Sequence, residues 1–143
     1  MHERFLTAAG AALLTVVIVG APLSAQVKKG KTRVLTTKSW MKSVNGPVCS
    51  SLKKVLDGSG PADDKAWASA AQYAELLNES GHVLMADGRC PDAVWAGAAK
   101  QLRESSAAVL AAVEVKNATE AKTAFAGVLG ACGTCHTAHK KKK

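Results

Sequence analysis

The fold of this chain is decided by residues 63–85, which read DDKAWASAAQYAELLNESGHVLM. Apolar and small residues recur in this stretch at intervals of three and four: Trp67, Ala70, Ala74, Leu77, Gly81 and Leu84. That spacing places them along one face of an α-helix, as in helices that pack into a bundle. The stretch therefore predicts an amphipathic helix, and the acidic Asp63 and Asp64 suit its positive N-terminal end.

Three further segments carry the same spacing. The first spans about 37–56, the third follows Pro91, a favoured first helical residue, and the fourth is capped by Asn117 or Thr119. Gly46-Pro47 interrupts the first segment, so we expect a kink there or two short helices in line. Short loops join the four helices, which predicts an all-α fold, an antiparallel four-helix bundle. The expected core-facing residues are Met41, Val44, Val48, Leu52 and Val55 in the first helix, Trp95, Ala99, Leu102, Ser106, Val109 and Val113 in the third, and Ala121, Phe125, Val128, Cys132 and Cys135 in the fourth.

Composition supports a single helical domain. The chain has 143 residues, a net charge of +8 and a hydrophobic fraction of 48%. Only three Trp, one Tyr and two Phe are present, while Ala is abundant, and this balance disfavours a sheet-rich fold. A second large domain does not fit in this length.

The N-terminus has the pattern of an export signal. Arg4 precedes an apolar run, Pro22 breaks it, and small residues end at Ala25, so residues 1–25 are expected to be a cleaved signal peptide. A retained membrane anchor is the alternative, although the run is short for a bilayer span. We expect a basic, mobile leader at 26–36, the helical domain at 37–139 and a lysine tail at 140–143. These features predict an exported, periplasmic protein with no stable membrane span.

The chemistry is concentrated in Cys132-Gly133-Thr134-Cys135-His136, since C-x-x-C-H is the attachment sequence for c-type haem. Two thiols three residues apart share a helix face and can add to the two vinyl groups of one porphyrin, while the adjacent imidazole coordinates the iron. A thioredoxin-like dithiol would need a βαβ context, a zinc site would need a further ligand, and a plain Cys132–Cys135 disulfide would leave His136 without a role. The motif predicts one covalent haem c.

The position of the motif suggests a family. Only seven residues follow His136, and the motif lies on the last of four helices, with Phe125 one heptad before Cys132. Over about residues 34–140 the chain resembles the class II cytochromes c, the cytochrome c′-like four-helix bundles. The resemblance implies that the first helix supplies the residue over the distal haem face. Related bundles often form homodimers through their first two helices, so the resemblance implies a homodimer as one alternative for this chain.

Met41 is the candidate distal ligand in the first helix. Under the resemblance, a Met there gives a six-coordinate electron carrier, whereas an apolar residue leaves the iron open to small gases. Met41 also begins the apolar series of the first helix and could instead be a core residue. Met85 and His82 are weaker candidates, and His139, three residues beyond His136, is expected to be solvated among lysines.

We therefore expect an electron carrier that is not an enzyme. A cytochrome c′-like protein that binds NO or CO is the alternative, and a periplasmic thiol-disulfide or peroxidatic oxidoreductase ranks third. The basic charge suits acidic redox partner proteins, and nucleic acid is a poor partner for an exported protein. Cys49 and Cys90 form an even pair, for which a disulfide is the economical interpretation and two free buried thiols the alternative.

Overall fold

A computed structural model of the chain describes residues 29–140. The expected signal peptide at 1–25, the first residues of the leader and the lysines at 141–143 lie outside the described residues. Between residues 29 and 140 the regular structure is helical and contains no strand, which confirms the all-α class. None of the helices in this part of the chain is both long enough and apolar enough to cross a membrane.

The first helical stretch has three consecutive parts: α1 (Thr37–Trp40), a π-helical turn (Met41–Asn45) and α2 (Gly46–Leu56). Gly46 keeps right-handed helical dihedral angles, and its N–H donates to the carbonyl of Met41, five residues earlier. Pro47 then falls in the first turn of α2, where a missing N–H is tolerated. The sequence predicted a kink or a break at Gly46-Pro47, and the structure has a change of hydrogen-bond register there while the helical path continues.

Three long helices follow: α3 (Asp64–Met85), α4 (Ala93–Glu114) and α5 (Ala118–His139). Each begins with a side-chain cap, since Asp63, Asp92 and Asn117 accept hydrogen bonds from backbone N–H groups in the first turn. Asn117 is therefore the cap of the last helix, as one of the two sequence predictions had it. Pro91 is not the first residue of α4, because Asp92 supplies the cap and the helix begins one residue later.

The core follows the predicted seams of the long helices. α4 packs against both α3 and α5, and α2 packs mainly against α3. All six predicted residues of α4 are buried, and so are those of α3 except the half-buried Trp67. In the first stretch, by contrast, only Leu52 of the five expected residues is fully buried. α3 and α4 approach closely at Gly81, where a Cβ would lie 2.9 Å from the carbonyl oxygen of Ala99.

Of the leader expected at 26–36, residues 29–36 are described, and several of them form hydrogen bonds. The backbone N–H groups of Thr32 and Arg33 each donate to the Asp87 carboxylate at 2.9 Å. The buried Arg89 guanidinium donates to the carbonyl of Leu35 at 2.7 Å. The residues just before α1 are therefore held against the loop between α3 and α4 by hydrogen bonds that no periodic pattern indicates.

Candidate functional site

A cavity of about 250 Å³ lies where the first helical stretch, the C-terminal end of α3, α4 and the C-terminal half of α5 meet. Its walls are largely apolar, with Leu84, Trp95, Ala98, Ala99, Leu102, Leu129 and Ala131 among the lining residues. Six side chains that carry sulfur or polar nitrogen atoms also line it: Met41, Asn45, Cys49, Cys132, Cys135 and His136. The cavity brings Met41 together with all three residues of the C-x-x-C-H motif.

The motif occupies the last turns of α5. Cys132 and Cys135 are half-buried on the cavity side of the helix, as their spacing of three residues requires, and His136 lies at the exposed rim. Burial, followed by the charge of Asp92, raises the pKa of the Cys135 thiol to about 11. Partial burial and the Lys140 ammonium lower the pKa of His136, which favours the neutral imidazole that coordinates metals.

Met41 and Asn45 form the opposite wall, at the two ends of the π-helical turn. The Asn45 side-chain N–H donates to the Met41 sulfur at 3.4 Å, which directs the thioether. Asn45 is only 8% exposed, and within residues 29–140 its Oδ1 has no hydrogen-bond partner. The apolar spacing that predicted Val44 and Val48 as core residues gave no sign of Asn45; the nearby Gly46-Pro47 was the one local signal that the regular helix is altered here.

The predicted disulfide between Cys49 and Cys90 is not formed, since all four cysteines in the described part of the chain are free thiols. Cys90 donates to the carbonyl oxygen of Asp92 at 3.3 Å, in its own loop. Cys49 lines the cavity from α2 and interacts with Cys132 instead. The hydrogen bond between these two thiols lowers the pKa of Cys49 to about 7 and raises the pKa of Cys132.

His139 was expected to be solvated, and this expectation was wrong. Its side chain is 11% exposed, and its Nε2 lies 3.5 Å from the Asp92 carboxylate. Its ring meets the Trp95 ring edge-on, with 5.4 Å between the ring centroids. The last turn of α5 therefore packs against the first turn of α4. Met85 and His82, the weaker ligand candidates, are exposed on α3 and are not among the residues that line the cavity.

The donor set suits a haem. In residues 29–140 no group of three or more His, Cys, Asp or Glu side chains could hold a metal ion. A haem iron asks the protein only for axial ligands, and one imidazole and one thioether are present across the cavity. Ligand pockets hold roughly 300–1,000 Å³, and the cavity of about 250 Å³ lies just below that range. A second cavity of about 290 Å³, between α2 and α5, shares the lining residue Leu129 with it.

Comparisons with known protein families, curated proteins and solved structures find no match to this chain. The site itself offers two thiols on one helix face, an imidazole beside them, and a thioether from the first helical stretch. These groups surround a space whose walls are otherwise apolar.

Proposed function

We propose that this protein is a c-type cytochrome that carries one covalently attached haem and transfers electrons. Cys132 and Cys135 would form the thioether bonds, His136 would be the proximal ligand and Met41 the distal ligand. One observation carries the proposal: residues from opposite ends of the helical domain, chosen as haem-binding candidates by motif and family resemblance, line the same apolar cavity.

Each of these side chains has a role that its surroundings favour. The two thiols can each add across a vinyl group, which keeps the cofactor bound at any concentration of free haem. The lowered pKa of His136 favours the neutral ring, and Asn45 donates a hydrogen bond to the sulfur of Met41. The bound haem supplies an iron that alternates between the ferric and ferrous states, and a thioether ligand favours the ferrous state.

The finer architecture belongs to the same proposal. We infer an antiparallel, cytochrome c′-like bundle, because short loops join consecutive long helices and α4 contacts both of its neighbours in the chain. Covalent haem attachment outside the cytoplasm agrees with the signal sequence predicted at 1–25. The net charge of +8 suits an acidic redox partner.

Haem attachment is the primary test. The full chain is produced in a host that exports it and attaches haem, and the protein is then denatured and examined by mass spectrometry and haem staining. We expect haem to stay bound to the wild type and to be lost from the variant with both Cys132→Ala and Cys135→Ala. Cys90→Ala, which alters a thiol outside the cavity, is the control and should retain haem. Haem that leaves the denatured wild type would overturn the proposal.

The distal ligand is tested separately by Met41→Ala. We expect the variant to keep its covalent haem but to lose the low-spin spectrum and the Met–iron charge-transfer band. Met85→Ala, a methionine exposed on α3, is the matched control and should leave the spectrum unchanged. A wild-type ferrous spectrum that is already high-spin and shifts with CO would instead favour the gas-binding alternative.

A further inference from the structure

We propose that Cys49 and Cys132 form a disulfide in the chain before haem is attached, so that this bond must be reduced before Cys132 can bind haem. The inference rests on the proposed function, because it concerns a thiol assigned to haem attachment. It adds a reversible covalent state that controls when the site can be filled.

The arrangement of the four cysteines selects this pair. Cys49 on α2 and Cys132 on α5 line the same cavity from two different helices, close enough for each thiol to shift the pKa of the other. The Cys135 thiol is influenced mainly by burial and by the Asp92 charge. Cys90 lies outside the cavity and bonds to its own loop. Among the cysteines of the described chain, Cys132 on α5 is therefore the expected partner of Cys49 on α2.

The chemistry of this pair favours disulfide exchange. A thiolate is the attacking group in thiol–disulfide exchange, and a cysteine whose pKa lies near the ambient pH is well suited to it. The hydrogen bond from Cys132 lowers the pKa of Cys49 to about 7. Cys49 is therefore the expected nucleophile.

The bond forms at the expense of a disulfide-bearing oxidant, such as a protein disulfide or glutathione disulfide. The Cys49 thiolate attacks one sulfur of the oxidant and expels one thiolate. Cys132, losing its proton, then attacks the Cys49 sulfur and expels the second thiolate. The two cysteines together lose two electrons and two protons, and the oxidant is reduced to two thiols. A dithiol reductant reverses both steps.

Disulfide and thioether are mutually exclusive at Cys132, because its sulfur can form one such bond at a time. An oxidised chain would therefore be closed to complete haem attachment, and reduction would open it. Cys49 has no part in the C-x-x-C-H motif, so its position beside Cys132 gives it a role that the motif does not supply.

Disulfide mapping of the haem-free full chain tests the bond. The chain is equilibrated with glutathione disulfide, its free thiols are blocked, and it is digested with trypsin without reduction. Cys49 falls in peptide 43–53, Cys90 in 90–100, and Cys132 with Cys135 in 123–140. We expect 43–53 to be joined to 123–140, and fragmentation between Gly133 and Thr134 to assign the bond to Cys132. A link from 43–53 to 90–100, or a blocked Cys49 beside a Cys132–Cys135 bond, would overturn the proposal.

Haem attachment provides a second readout, in a Cys135→Ser background that removes competition from the neighbouring thiol. We expect the oxidised Cys135→Ser chain to attach ferrous haem at least tenfold more slowly than the reduced chain. With Cys49→Ser added, oxidised and reduced chains should attach haem at equal rates. Equal rates without Cys49→Ser would overturn the control by this disulfide and leave the proposed function standing. A wild-type chain that maps the bond but never retains haem would contradict the proposed function instead.

Discussion

The two sides of the bundle are built differently. Between α3 and α4, Leu77 is 1% exposed and Gly81 allows the helices to approach closely. Between α2 and α5, two cavities share Leu129, which is 45% exposed. Unfilled apolar space costs stability, because the atoms that line it lose packing contacts. We therefore expect substitutions on the α3–α4 side to cost more stability than those on the α2–α5 side, which leaves the space that we assign to haem.

The largest effect on stability should come from a substitution that creates a cavity on the α3–α4 side. Leu77→Ala removes a fully buried side chain, so we expect the free energy of unfolding to fall by about 2–5 kcal/mol. Leu129→Ala makes the same chemical change on the α2–α5 side and should shift it by about 0.5 kcal/mol at most, because that side chain is already half in solvent. Denaturant unfolding of the haem-free protein measures both, and equal losses would refute the contrast.

The close approach of α3 and α4 gives the next largest effect. In Gly81→Ala the new methyl group would meet the Arg103 side chain and the Ala99 carbonyl, and we expect a loss of about 1–3 kcal/mol. Gly97→Ala is the matched control on α4, where no atom of the described chain lies within 4 Å of the added Cβ. That substitution should stabilise the protein by about 0.5–1 kcal/mol through helix propensity alone. Thermal and denaturant unfolding that rank the two variants the other way would contradict the packing argument.

The sequence predicts the α3–α4 side well because helical periodicity reports burial directly. The seam from Ala70 to Leu84 and the whole predicted face of α4 are buried as expected. A cap such as Asn117 is also a local property, since it depends on a side chain and the N–H groups just after it. The C-x-x-C-H motif is equally local, and its placement on one helix face follows from its spacing.

The sequence does not predict contacts between segments that are distant in the chain, because no helical periodicity relates such segments. The partner of Cys49 depends on how α2 is rotated about its axis. Once Cys132 and Cys135 are assigned to the C-x-x-C-H motif, the sequence leaves Cys90 as the expected partner. Asn45 is a polar residue buried beside the π-helical turn, and that turn shifts the buried face of the first helix. The hydrogen bonds of Asp87 to residues before α1 join segments about fifty residues apart. Each of these depends on tertiary geometry.

A smaller effect is expected from Ser106, whose hydroxyl is fully buried in α4 and has no hydrogen-bond partner within residues 29–140. Ser106→Ala removes this unsatisfied group and should raise the free energy of unfolding by about 1 kcal/mol. Ser69→Ala is the control for helix propensity, because its hydroxyl bonds to the Lys65 carbonyl in an exposed part of α3. If Ser69→Ala stabilises the protein as much as Ser106→Ala, the gain in stability is due to helix propensity. The buried hydroxyl of Ser106 then carries no cost of its own.

The smallest effect concerns Asp87, whose loop joins α3 to α4 and holds the residues before α1. The hydrogen bond from the Arg33 backbone N–H is the main cause that lowers the pKa of this carboxyl below its ordinary value. A lowered folded-state pKa means that the contact stabilises the protein fully above the unfolded pKa, near 4, and is lost as the pH falls through the lower folded value. In NMR titrations the amide signals of Thr32 and Arg33 should therefore move together, with a midpoint below 4.

Asp87→Asn should abolish that titration while the amide signals of the α3–α4 core stay unchanged. If the core signals shift together with those of Thr32 and Arg33, the contact supports the whole bundle, and the two sides are more tightly coupled than their packing indicates. If only the leader signals move, the α3–α4 side is stable by itself, and the segment leading to Met41 can be released without unfolding it.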